Sequence, residues 1–314
     1  MIARRSCLSV PATQPRFFEK ADGSAADLVF FDLEDSVPPV AKERGRELAV
    51  EALRTFEFGG KSRGVRVNAC DSRWCFDDLR AVVEGAGDRL DTVVLPKVEG
   101  PPDVHFADRM LSQLEAKLGL EHRIGLDLQI ESALGLENVE LTAAAAPRVL
   151  ALHFGPGDFM ATLQVPELTI GRTPSAYPGE FFHYAHFRIL VAARAHGLQA
   201  VDGPYAQVRD LEGLRAAAEK MAALGYDGKW ALNPAQAEVL NEAFAPSQEV
   251  FDKASAIVEA YERATAAGDT GAVMLGEEMI DEASRKMAAV LVERGRAAGM
   301  QPRAAPQRPG GDLG

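Results

Sequence analysis

Charged side chains cluster where short apolar runs end. A run over 28–33 closes on Asp32, Glu34 and Asp35, and one over 64–68 carries Arg66 and Asn68. Runs over 92–96 and 124–130 are followed by Lys97 and Glu131, and 149–154 leads into Gly155-Pro156-Gly157-Asp158. Asp202 and Asn233 follow the last two runs, 199–201 and 229–232. Each such charge costs several kcal/mol if buried without a partner, so a ring of them implies a shared ligand, an ion or mutual pairing.

Glu131 and Asp158 would come from adjacent strands. Two hard carboxylates a strand apart suit an octahedral Mg²⁺, or Mn²⁺, that keeps waters for exchange with substrate oxygens. From spacing alone an equal alternative stands, in which Glu131 pairs with Arg66 or Lys97. The glycines flanking Pro156 favour the metal, because Gly155 and Gly157 let backbone approach a ligand closely. Arg66 offers a fork of donors that either clamps a carboxylate or carbonyl oxygen or forms a structural ion pair. His183 and His186 have the spacing of ligands on one helical face, but neither ends a strand, and packing is the simpler reading. Cys70 and Cys75 read as free thiols.

The positioning elements follow from periodicity. Eight short β-branched or alternating runs, 6–10 and those named above, are separated by helix candidates at about 14–26, 40–56, 73–86, 103–118, 133–145, 180–196, 210–224 and 234–244. Eight βα units match a (β/α)₈ TIM barrel over 1–245. An open doubly wound sheet shares the alternation, but no Gly-rich dinucleotide loop follows the first run. After Ala245 the strand signals stop. Two helices are expected at about 246–267 and 277–298, joined by a linker over 268–276, with a disordered tail over 299–314.

Composition narrows the partners. The chain has 314 residues, 34 basic and 46 acidic, for a net charge of -12, which disfavours nucleic acid. Its apolar stretches fall far short of the ~20 residues that span a bilayer, so no membrane role is expected. Three cysteines argue for a reducing compartment, and a cytoplasmic location is expected.

The ordered blocks Arg5-Ser6-Cys7-Leu8-Ser9-Val10-Pro11, Asp32-Leu33-Glu34-Asp35-Ser36-Val37, Arg66-Val67-Asn68, Pro96-Lys97-Val98-Glu99, Glu131-Ser132-Ala133, Gly155-Pro156-Gly157-Asp158-Phe159, Asp202-Gly203-Pro204 and Gly228-Lys229-Trp230-Ala231 resemble the HpcH/HpaI aldolase and citrate lyase β-subunit superfamily. Over about residues 4–298 the chain is most similar to the malyl-CoA, β-methylmalyl-CoA and citramalyl-CoA lyases. The resemblance implies a Mg²⁺-dependent (β/α)₈ barrel, a trimer or hexamer, that cleaves or forms a carbon–carbon bond between an acyl-CoA and a 2-oxo acid.

It further implies that Glu131 and Asp158 bind the metal and that Arg66 contacts the 2-oxo acid. Pro156 and Gly157 would line the substrate, and Arg16, Lys20 and Lys42 would meet the CoA. Residues 246–298 would form an extension or lid whose Asp281 reaches a neighbouring subunit's active site as acid/base. Without the resemblance, Asp281 reads only as an acid favoured at a helix start. Two departures stand out: Gln14-Pro15-Arg16 has glutamine where family members carry arginine, and Asn233-Pro234 has asparagine where a histidine is common. A lysine Schiff base at Lys97 is redundant beside metal carboxylates. A malyl-CoA thioesterase, or a citrate lyase β-type subunit acting on an acyl-carrier partner, are the alternatives.

Overall fold

The computed structural model describes residues 3–170, 177, 179–266, 272–276 and 278–303. They fall into two compact units, 4–244 and a C-terminal unit beginning at Ala245. In the first, eight parallel strands close a barrel in sequence order. They are β1 (Ser6–Pro11), β2 (Leu28–Asp32), β3 (Ser62–Arg66), β4 (Thr92–Leu95), β5 (Gly125–Ile130), β6 (Val149–Phe154), β7 (Gln199–Asp202) and β8 (Gly228–Ala231), with β8 pairing back onto β1.

The helices of this unit are α1 (Phe18–Asp22), α2 (Lys42–Thr55), α3 (Cys75–Ala86), α4 (Pro101–Leu118), α5 (Ala133–Glu137), α6 (Val139–Ala143), α7 (Pro156–Thr162), α8 (His183–Ala195), α9 (Leu211–Leu224) and α10 (Pro234–Ala243). The single helix expected over 133–145 is thus two, broken at Asn138. The Gly155–Asp158 segment opens the short helix α7, with Pro156 in the first turn, where its missing N–H costs nothing. The C-terminal residues of the expected tail divide: 299–303 are described, and 304–314 lie outside the described residues.

Strand β5 shows how the barrel selects its side chains. Leu126, Leu128 and Ile130 face out into the apolar layer shared with the helices. Asp127, Gln129 and Glu131 therefore face inward, because successive residues of a strand point to opposite sides. Inside the barrel Cys7, Leu28, Phe30, Val94, Ala151, Val201 and Trp230 form a separate apolar plug. Gly64 leaves room for Phe30, whose Cβ lies 3.1 Å from where a side chain at 64 would begin. Below the plug, Arg4 pairs with Asp127 at 3.0 Å and donates to Gln199 at 2.6 Å.

The C-terminal unit corrects the sequence expectation. Its first helix, α11 (Gln248–Ala266), packs through Phe251 and Ala254 on Ala288 and Val292 of α12 (Glu282–Ala297). Between them, where a linker and a helix start were expected, an antiparallel hairpin forms from β9 (Ala272–Leu275) and β10 (Glu278–Asp281). Within the span expected as a helix over 277–298, Ile280 is buried, whereas Met279 and Met287 are exposed. Helix α12 starts only after Asp281, whose carboxylate caps it by accepting from the Ser284 amide at 2.8 Å.

His153 of β6 is buried among these interior groups. Its Nδ1 accepts the indole N–H of Trp230 at 2.7 Å, which leaves the proton on Nε2, 3.6 Å from Asp127. Burial holds its imidazole down at about 4, with Asp127 opposing and Arg4 reinforcing the shift. A histidine depressed in the folded state costs nothing above its unfolded pKa, ~6.5, and progressively destabilises the fold as pH falls from there towards 4. The full loss is about 3 kcal/mol. Urea denaturation at pH 7 and pH 4.5 tests this: His153→Gln should remove about 2 to 3 kcal/mol of the acid destabilisation seen in the unsubstituted protein.

Candidate active site at the barrel mouth

The inward residues of the strand ends enclose a cleft of ≈ 400 Å³ lined by Asp32, Asp35, Arg66, Gln129, Glu131, Asp158 and Trp230, among others. At its floor, Arg66 donates Nε and Nη2 to the two oxygens of Asp32 at 2.7 and 2.8 Å, a bidentate pair. Its Nη1 lies 2.9 Å from Glu34 Oε2, off the N–H direction, so Glu34 Oε2 is buried without a hydrogen bond. The guanidinium also stacks 5.2 Å above the Trp230 ring. The two sequence readings of Arg66 are therefore compatible, since it is an ion pair that lines the cleft.

Glu131 makes neither of the ion pairs considered from spacing. Its Oε1 accepts the Lys97 backbone N–H at 2.8 Å and its Oε2 accepts the Gln129 amide at 2.6 Å. The Lys97 ammonium instead bonds Glu34, reaches Asp35 at 3.4 Å and stands 3.7 Å from Asp158. Five carboxylates, Asp32, Glu34, Asp35, Glu131 and Asp158, thus meet three cations, Arg66, Lys97 and the buried Lys42.

Electrostatics follow from that imbalance. Burial, then the charge of Glu34, pushes the Glu131 carboxyl up to about 8, and Asp158 adds to the rise. Burial raises Glu34 as well. Burial would also raise Asp32, but the Arg66 guanidinium holds it below the usual carboxylate range. Lys97 loses stability as a cation by burial, yet Glu34 more than restores it and lifts its pKa. The cluster has room for additional positive charge.

Hard oxygens with a charge deficit fit a divalent cation. Glu131 and Asp158, which line the same cleft, would hold it and leave the other positions to water and substrate. Glu131 is held on the end of β5 and Asp158 in the first turn of α7. Gly155 between them is required for space, since any side chain there would collide with Glu131. Gly203 answers the same need one strand on, where a Cβ would meet Pro156.

The other sequence candidates separate. Lys20 lines a second cleft of ≈ 300 Å³ with Phe17, Asn233 and Pro234. It shares Ser9, Pro11 and Leu232 with the first cleft. Arg16 is exposed nearby, its guanidinium 4.7 Å over the Phe17 ring. Lys42 is corrected: its ammonium is buried and donates to the carbonyls of Leu33 and Glu34 and to Asn68, at 2.6–2.8 Å. All three donors are used inside the protein, so none is left for a CoA phosphate. Pro156 and Gly157 line the main cleft.

Asn233 caps α10 by accepting from Gln236 N. His186 and Lys229 both hold buried Asp202, which confirms a packing role for that histidine. Asp281 lies in the C-terminal unit, where the Ser284 amide and hydroxyl keep its carboxyl low.

The sequence reading missed Gln129, which links Arg66 at 3.5 Å to Glu131. The signal was there, because Asp127-Leu128-Gln129-Ile130-Glu131 alternates polar and apolar.

Comparisons with known proteins identify what the chain is similar to. The chain is 38% identical over 293 residues to an L-malyl-CoA/beta-methylmalyl-CoA lyase of Cereibacter sphaeroides, covering 90% of this chain and 92% of the relative. It is 36% identical to a (3S)-malyl-CoA thioesterase of the same species, over 87% of this chain and 88% of the other. Among solved structures, CitE of Mycobacterium tuberculosis in complex with magnesium, acetoacetate and coenzyme A superposes with a TM-score of 0.69 at 27% identity, covering 94% of this chain and 98% of that one. The model of one family, HpcH/HpaI aldolase/citrate lyase, matches residues 5–234, from the first barrel strand to the start of α10, and the chain belongs to that family.

Proposed function

We propose that this protein is a Mg²⁺-dependent carbon–carbon lyase that cleaves or forms a 3-hydroxyacyl-CoA, such as malyl-CoA, β-methylmalyl-CoA or citramalyl-CoA. The products are acetyl-CoA or propionyl-CoA and glyoxylate or pyruvate. The observation that carries the reading is the meeting of Glu131, Asp158 and Arg66 in one cleft whose carboxylates outnumber its cations. The relatives named as malyl-CoA lyases support the substrate class.

Cleavage removes the proton of the 3-hydroxyl, breaks the adjacent carbon–carbon bond, releases the 2-oxo acid and leaves an enolate of the acyl-CoA that must gain a proton at carbon. Glu131 and Asp158 would hold a divalent cation, which would supply Lewis acidity in the cleft. Arg66, fixed by Asp32 and stacked on Trp230, presents a charge that needs no reorganisation when negative charge develops in the cleft. Gln129 and the Lys97 amide orient Glu131 through its two oxygens. Lys20 and Arg16, beside the second cleft, suit the CoA end of the substrate.

Asp281, supplied by a neighbouring copy in a trimer or hexamer, takes the role of acid/base. Its lowered pKa favours the carboxylate, the state that accepts the acyl-CoA α-proton in condensation, whereas in cleavage its protonated form would deliver that proton to the enolate carbon. The thioesterase relative keeps open one second reading, with water attacking the thioester at the same cleft.

Incubation with malyl-CoA and citramalyl-CoA, with and without EDTA, followed by mass analysis, separates the two. Acyl-CoA plus glyoxylate or pyruvate is the expected product, abolished by EDTA, whereas free CoA with malate or citramalate would establish hydrolysis instead. Glu131→Gln and Asp158→Asn should each lower kcat at least ~10³-fold without unfolding the barrel, as circular dichroism would verify. Asp281→Ala should stop exchange of the acetyl-CoA α-protons with D₂O, followed by NMR, and leave glyoxylate affinity within about threefold. Full exchange in that variant would remove Asp281 from the mechanism.

A further inference from the structure

Lys97 combines two features that the reaction described above does not require of one residue. It is one of three non-glycine residues among those described with a positive φ, at 50°, in the left-handed region that a side-chain-bearing residue enters only under constraint. That turn lets its amide face Glu131 at 2.8 Å while its ammonium spans Glu34, Asp35 at 3.4 Å and Asp158 at 3.7 Å. One residue therefore touches both carboxylates assigned to the divalent cation, one through its backbone and the other through its charge. The ammonium is about one-third exposed and reaches into the cleft's acidic side, whereas Arg66 is committed to Asp32 at the floor.

We propose that Lys97 is a built-in counter-charge that sets the affinity of the cleft for its divalent cation. Its backbone amide is the positioning contact that preorganises Glu131, and its ammonium neutralises Asp158, Asp35 and Glu34 when the divalent cation is away. A divalent cation arriving between Glu131 and Asp158 must displace or repel that ammonium, so the lysine weakens binding while keeping the acids from repelling one another. The cleft is thereby held in its binding shape without trapping the cation. The inference rests on the assignment of Glu131 and Asp158 as ligands.

The test uses the full-length protein and Mn²⁺ alone, with free Mn²⁺ counted by electron paramagnetic resonance, so that no turnover enters the readout. Lys97→Met should bind Mn²⁺ about tenfold tighter than the unsubstituted protein, and Lys97→Arg, which keeps the charge, within about threefold of it. Lys97→Gly, which relaxes the left-handed backbone and retains the amide, should tighten binding as Lys97→Met does. In metal-free buffer the Tm of Lys97→Met should fall, and Mn²⁺ should raise it by more than it raises the parent's. If Lys97→Met does not fold, Lys97→Gln carries the same expectation.

Mn²⁺ affinity in these neutral variants that equals or falls below the parent's would overturn the proposal while leaving the ligand assignment intact. Glu131→Gln serves as the control. Should the parent bind no Mn²⁺, or bind it equally well in that control, the ligand assignment itself fails and the role of Lys97 falls with it.

Discussion

The bidentate pair between Arg66 and Asp32 is the interaction on which the rest of the cleft depends. Both groups are almost wholly buried, and either alone would be a prohibitive charge inside a barrel. Together they form a rigid floor on which Glu34 and Gln129 rest, and Gln129 passes the constraint to Glu131. Trp230 closes the other side of the guanidinium, and its indole N–H is anchored in turn on His153. A chain of oriented side chains thus runs from the interior of the barrel to the mouth. Its consequence is electrostatic preorganisation, with charges set before any substrate arrives.

The acidic side of the cleft obeys a second constraint, which is space. Residues 155–158 must bring Asp158 towards Glu131, and only glycine at 155 allows the backbone that close. Gly203 makes the matching allowance for Pro156, so β6, β7 and the start of α7 lock as one piece. Burial first, and then the neighbouring carboxylates, raise Glu131, and the same acids hold the Lys97 ammonium in the cleft. The same imbalance that would destabilise a purely structural cluster is the property a cation site needs.

Relatives named as a lyase and as a thioesterase both align over more than four-fifths of the chain. Both outcomes begin from a bound 3-hydroxyacyl thioester. Which bond breaks depends on where a proton or a water is delivered, and that delivery belongs to residues outside the floor. The residue proposed for that delivery, Asp281, caps α12 at the end of a hairpin.

The barrel, its strand ends and the acids and arginine at its mouth were legible in the sequence, because strand periodicity and strand termini are local properties. All eight barrel strands lie within a few residues of their expected positions for that reason. Lys42 was misread because a lysine at a helix start looks solvent-facing until the fold brings Leu33, Glu34 and Asn68 around it. The β9–β10 hairpin was misread because four-residue strands carry too little pattern to be told from a linker and a helix start, and cross-strand pairing decided between them. Length and alternation determined the scaffold and the chemical types at its rim. Which donor meets which acceptor, and hence that Glu131 is held by an amide and Lys97 by acids, was decided only by tertiary structure, since those partners lie more than thirty positions apart and no local pattern encodes their approach.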